Sequence, residues 1–134
     1  MKTAGYSATP LVKKLGIKAD ARLTFLDAPV EFASLVGELP AGAKMSARGI
    51  LDFAIVFVTT RTKLEKRFEV LIERLTPAGM IWVSWPKKTS GVATELTENV
   101  VREISLRAGL VDVKVCAIDD TWSGLKFVRR LRDR

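Results

Sequence analysis

Trp85–Pro86–Lys87–Lys88–Thr89–Ser90–Gly91 places two ammonium groups, two hydroxyls and a glycine directly after an apolar run. Cations and hydroxyls in one turn suit an oxyanion such as phosphate or carboxylate, because charge-assisted hydrogen bonds are the strong ones. A helix starting just downstream would aim its unpaired N–H groups at the same anion. Pro86 stiffens the way in, and Gly91 permits tight backbone. The glycine, lysine and hydroxyl spacing of a Walker loop is absent. Lys87, Lys88, Thr89, Ser90 and Gly91 are therefore the candidate anion-binding residues. The plainer reading is a polar loop in which Thr94 caps the next helix and both lysines face water.

Three further residues are candidate walls of the same pocket. Trp85 ends its strand beside the lysines, where its ring could stack on a ring-bearing ligand. Asp27 follows the first strand and should reach the same sheet edge. Tyr6 belongs to the polar prefix Gly5–Pro10 and lines the pocket if that prefix folds back. Asp52 falls at the opposite, amino end of its strand, and Asp119 and Asp120 sit in a closing turn. No spacing joins these acids into a catalytic pair, and turn formation and capping account for them. Cys116 reads as a small apolar side chain, since without histidine its activation would need a lysine such as Lys114. Trp82 and Trp122 read as packing residues. No catalytic residue and no metal ligand is singled out.

Composition sets the outer limits. The chain has 134 residues, a net charge of +7, one cysteine and no histidine. One domain over 1–134 is expected, with a basic extension and short helix at 1–18, a core at 19–128 and a basic tail at 129–134. The missing histidine excludes imidazole acid–base chemistry and His-containing zinc sites, and one cysteine excludes an internal disulfide. The longest strictly apolar run, Phe53–Val58, is far short of the roughly 20 residues of a membrane span. A cytoplasmic protein without membrane contact is expected. Residues 1–18 carry +4 and 126–134 carry +4, leaving −1 between them. If the ends meet, they form a basic patch for nucleic acid or an acidic partner. The alternative is solubilising charge on frayed ends.

Pattern supplies the elements that must hold these residues. Thr9, Pro10 and Gly16 frame a short first helix. Ala21–Leu26 reads as a strand, Pro29–Val36 as a short helix and Ala43–Ala47 as a further strand. Leu51–Val58 has the continuous apolar character of a strand covered on both faces. Thr62 and Glu65 form a capping box ahead of Leu64, Phe68, Leu71, Ile72 and Leu75 at helical spacing. Thr76–Gly79 ends that helix and Met80–Trp85 is the next strand. A helix over 95–108 follows, with Leu96, Val100, Val101 and Ile104 inward. Val111–Ile118 alternates Val111, Val113, Val115 and Ala117 against more polar neighbours. It then turns at Asp119–Asp120 into Trp122–Val128. Together these predict an α/β, three-layer Rossmann-like sandwich, its mostly parallel sheet closed by a C-terminal antiparallel hairpin.

Leu51 to Val128 resembles the second half of a class I S-adenosylmethionine-dependent methyltransferase. The residues carrying this are the strand start Leu51–Asp52–Phe53, the turn Leu75–Thr76–Pro77–Ala78–Gly79, and the strand, helix and hairpin that follow. The resemblance implies a methyltransferase-like fold. The first half departs from that family. Where its glycine-rich cofactor loop would follow the first strand, the chain reads Leu26–Asp27–Ala28–Pro29–Val30–Glu31. Where an acid would hold the ribose hydroxyls, it reads Ser46–Ala47–Arg48. No cofactor is expected on this basis, S-adenosylmethionine included. The blocks at 5–17, 83–104 and 109–130 resemble a bacterial family of similar-sized proteins of unknown function, which implies no activity. Three functions follow, in order. The first is a non-catalytic module binding a small anionic ligand or a partner protein at the sheet edge. The second is a degenerate methyltransferase, and the third a nucleic-acid binder using the basic termini.

Overall fold

A computed structural model of the chain describes residues 9–134; Tyr6 and the rest of the first eight residues lie outside it. Among the described residues, six strands form one sheet: β1 (Arg22–Leu26), β2 (Lys44–Met45), β3 (Leu51–Phe57), β4 (Leu75–Pro86), β5 (Leu110–Ala117) and β6 (Trp122–Arg129). Their order is β2-β1-β3-β4-β6-β5. β2, β1, β3 and β4 run parallel, and β6 lies antiparallel between β4 and β5. The expected parallel sheet closed by an antiparallel hairpin is what the chain forms.

Helices cover both faces. On one side lie α1 (Leu11–Leu15) and α2 (Phe32–Val36), packed with Leu23, Phe53, Ile55, Trp82 and Cys116. On the other lie α3 (Arg61–Arg74) and α4 (Glu98–Arg107), packed with Ala54, Val56, Ile81, Val83, Leu125 and Phe127. Ala54, Ile55 and Val56 are each fully buried although successive side chains point to opposite faces. That is the reason for their continuous apolar run.

Several local expectations are corrected. The cap of α3 is Thr60, whose hydroxyl accepts the Lys63 N–H at 3.2 Å, and not Thr62. The second half of the cap comes from far away: the Glu95 carboxylate accepts the Arg61 N–H at 2.9 Å. α4 starts at Glu98 with Thr97 as its cap, later than the expected 95, and Thr94 serves elsewhere. β4 starts at Leu75 rather than Met80. Leu51 pairs with Leu75 and Phe53 with Met80, so the Pro77–Gly79 stretch is an irregularity within a strand. A proline that cannot donate is tolerated at such a bulge. Val113 and Val115 are 56% and 54% exposed, while Cys116 is buried. β5 is an edge strand whose register shifts between Asp112 and Lys114, so its alternation does not place both valines under cover.

Two side-chain ties bind the architecture. The Trp82 indole N–H donates to the Leu15 carbonyl at 2.8 Å and pins the end of α1 to the sheet. At the amino edge, the Asp52 carboxylate accepts from the Arg22 backbone N–H at 2.9 Å, Arg22 Nε at 3.0 Å and the Thr76 hydroxyl at 3.2 Å. This carboxylate links the beginnings of β1, β3 and β4. The Arg22 hydrogen bond holds the Asp52 carboxyl below the ordinary aspartate range, outweighing the opposing effect of burial.

Candidate functional site

The loop after β4 is held from two sides. The Lys87 N–H donates to the Thr121 carbonyl in the β5–β6 turn at 2.7 Å. That turn is itself fixed by Asp119, whose carboxylate accepts the N–H groups of Thr121 and Trp122, each at 2.8 Å. Downstream, the Thr94 hydroxyl and the Glu95 N–H both donate to the Thr59 carbonyl, each at 2.9 Å. The segment from β4 to α4 is thus laced to the start of α3 and to the hairpin.

Within this frame, Lys88–Ser90 form one 3-10 turn that ends at Gly91 in the left-handed region, φ +81°. Glycine occupies that region without a Cβ clash. The Ser90 hydroxyl is engaged by the turn: it donates to the Lys87 carbonyl at 2.7 Å and accepts the Val92 N–H at 3.1 Å. Among the described residues, no hydrogen bond or ion pair engages the side chains of Lys87, Lys88 or Thr89. Lys87 is half-buried; Lys88 and Thr89 are exposed.

Lys87, Lys88 and Gly91 border a cavity of about 610 Å³, together with Trp85, Leu96 and the cap Thr97. Thr89 and Ser90 are not among its lining residues. Trp85 packs into the α3/α4 core and is 6% exposed, so it offers the cavity only an edge. The start of α4 contributes backbone N–H groups and the positive end of its dipole. Glu98 also lines the cavity, and Arg102 holds its carboxylate at 2.7 Å. Such a chamber can receive an anion attached to an apolar body.

Asp27 stands at the same sheet edge but outside this cavity, beyond β3. Its carboxylate meets Arg67 Nη2 at 2.7 Å and Lys63 Nζ at 3.7 Å, both on α3. Its backbone lies in the left-handed region, φ 58°, the conformation a glycine would otherwise supply. Among the described residues, Arg67 Nε is buried there without an acceptor. At the end of β2, the Ser46 hydroxyl donates to the Arg48 carbonyl at 2.8 Å. Sequence reasoning missed Arg67 and Lys63 beside Asp27, and Thr97, Glu98 and Ser123 in the cavity wall. The first two join Asp27 only through the α3 crossover, and the Thr97–Glu98 pair carried no signal beyond an ordinary helix start.

Two arginines of the C-terminal basic end are engaged by the fold. Arg129 Nη2 donates to the carbonyls of Ile72 and Leu75 at 2.6 and 2.8 Å, and Arg130 Nη2 to that of Leu106 at 3.2 Å. These two arginines fasten the tail to α3 and α4. No helix among the described residues is long and apolar enough to cross a membrane.

No family model matches the sequence, and no curated protein matches it. Solved structures do. An S-adenosylmethionine-dependent methyltransferase from Aquifex aeolicus is similar at 14% identity over 87% of this chain and 86% of its own, with a TM-score of 0.59. Fibrillarin from Aeropyrum pernix, with natively bound S-adenosyl-L-methionine, is similar at 13% identity over 92% of this chain and 70% of its own, TM-score 0.58. Magnesium protoporphyrin IX methyltransferase from Synechocystis PCC 6803, with bound SAH, is similar at 11% identity over 90% of this chain and 78% of its own, TM-score 0.56. The expectation that no cofactor is taken is overturned by these neighbours, two of which hold the cofactor or its product in this architecture. One part of its physical basis also fails, since Asp27 makes the left-handed turn after β1 without a glycine. At these identities the likeness is one of fold, and the chain has the α/β fold of S-adenosylmethionine-dependent methyltransferases.

Proposed function

We propose that this chain is a small-molecule-binding protein of methyltransferase fold that takes an anionic ligand in the cavity between the end of β4 and the start of α4. The observation that carries this reading is the pair Lys87 and Lys88, which border a cavity of about 610 Å³ with neither ammonium engaged among the described residues. Ligand cavities run from roughly 300 to 1,000 Å³. Lys87 and Lys88 supply charge, the first turn of α4 supplies N–H donors, and Trp85 and Leu96 supply an apolar wall. An open α/β sheet favours ligands at the carboxyl ends of its strands. The resemblance to a bacterial family of small proteins belongs to this reading and names no ligand.

The test is an amide map of the full chain titrated with inorganic phosphate, short carboxylic acids and AMP. Shifts along 87–98 at millimolar ligand support the reading, and silence there defeats it.

A second reading, S-adenosylmethionine-dependent methyl transfer, is favoured by the left-handed Asp27 beside the unpartnered Arg67 Nε. Arg67 and Lys63 would hold the cofactor's carboxylate and Asp27 its amine. The cofactor, when bound, supplies an electrophilic methyl group. Ser46, tied to Arg48, offers no acid for the ribose. S-adenosylmethionine should then move the amides of 26–31 and raise the melting temperature, while adenosine should not. No movement in 26–31 removes this reading.

A further inference from the structure

A cluster of lysines stands on the opposite face of the sheet from the Trp85 cavity. Lys126 lies in β6, between Leu125 and Phe127 of the α3/α4 core, so its side chain rises on the α1/α2 face. It is half-buried. Lys114 is its partner across the β5–β6 pairing. Lys114 Nζ donates to the Lys14 carbonyl at 3.1 Å, which brings the end of α1 over these two strands. A Cβ placed on Gly16 would lie 3.6 Å from Lys126 Nζ, a measure of how closely that turn approaches. Lys18 follows two residues later. The Trp82–Leu15 hydrogen bond at 2.8 Å fixes the turn in place.

Among the described residues, Lys18, Lys114 and Lys126 make no ion pair. Burial first, then Lys114 and Lys18, holds the Lys126 ammonium below the ordinary lysine range. Three cations from three parts of the chain are thus kept together without a counter-charge, which costs free energy until an anion arrives. A monocarboxylate offsets one charge. A phosphoryl oxyanion offers several acceptor oxygens and up to two charges, and ammonium groups serve it as point charges.

We propose that Lys18, Lys114 and Lys126 form a binding site for a phosphoryl oxyanion, whether carried by a free phosphate compound or by a phosphodiester strand. The site is independent of the Trp85 cavity, from which the sheet separates it.

The test titrates the full chain with pyrophosphate at constant ionic strength and follows the amides of Gly16, Ile17, Lys18, Lys114 and Lys126. Those amides should move. Lys126→Met and Lys114→Gln should each weaken binding by about tenfold, while Lys66→Gln, exposed on α3, leaves it unchanged. A parallel arm uses a DNA strand of about eight nucleotides. Binding through the same amides, with the same dependence on the variants, assigns the phosphodiester as the source. Binding of pyrophosphate alone assigns a free phosphate compound. The proposal is overturned if pyrophosphate acts no more than chloride at equal ionic strength, or if folded Lys126→Met binds as the wild type does. Should Lys126→Met not fold, Lys114→Gln decides in the same way.

Discussion

Trp82→Phe should loosen the whole α1 side of the molecule. Trp82 is fully buried, and its indole N–H is the tie to the Leu15 carbonyl at 2.8 Å. Phenylalanine fills most of the ring volume but leaves that carbonyl without its donor, at a cost of about 1–3 kcal/mol. The space left by the smaller ring adds about 1–2 kcal/mol. The sum is about 3 kcal/mol. Unfolding entropy near 2.1 cal/mol/K per residue gives about 0.28 kcal/mol/K for 134 residues, so the melting temperature should fall by about 10 °C. Calorimetry and urea titration measure the global loss, and hydrogen exchange measures the local one. The Gly16 and Ile17 amides, bonded to the Lys13 and Val12 carbonyls, should lose protection ahead of β3. A loss under about 1 kcal/mol with those amides still protected would refute the role given to Trp82.

Other expectations follow from single contacts. Asp52→Asn should lower stability at neutral pH by breaking the clamp on Arg22 and Thr76. The native carboxyl titrates below its unfolded value near 3.9, so its contribution is complete above that value and is lost as pH falls through the lowered one. Urea midpoints of the two proteins should therefore differ at pH 7 and converge as the solution is acidified; a gap independent of pH contradicts this. Gly124→Ala should cost about 1–3 kcal/mol, because its Cβ would lie 3.0 Å from Ile118 Cδ1, 3.1 Å from the Trp82 ring and 3.3 Å from the Cys116 carbonyl. Gly124→Val should cost more by the same denaturation assay, and a neutral Gly124→Val would show that the packing there has slack.

What the sequence made legible was periodic. Leu64, Phe68 and Leu71 at helical spacing identify the inner face of α3, and the run from Phe53 to Val58 identifies a strand covered on both sides. What it hid was long-range. Thr62 with Glu65 satisfies the local capping pattern, yet α3 is capped by Thr60 and by a glutamate 34 residues downstream. The end of β1 is legible at Asp27, but its partner Arg67 is 40 residues away and enters through the α3 crossover. Alternation in β5 marked two faces without saying that neither α3 nor α4 would cover Val113 and Val115 at the sheet's edge. The loop at 86–93 was found from composition alone, because turns after buried strands concentrate polar and small residues. The part of its cavity wall contributed by Thr97 and Glu98 was not, since those residues read only as the beginning of a helix.

Lys87 and Lys88 are proposed to recognise an anion beside Trp85. Isothermal titration of AMP into the wild-type chain and into the Lys87→Gln/Lys88→Gln double variant, at low salt, checks that recognition. Each ammonium contact is worth about tenfold in affinity, so the variant should bind about a hundredfold more weakly and lose most of the salt dependence. Equal affinity in the two proteins, or no heat with either, would contradict the account.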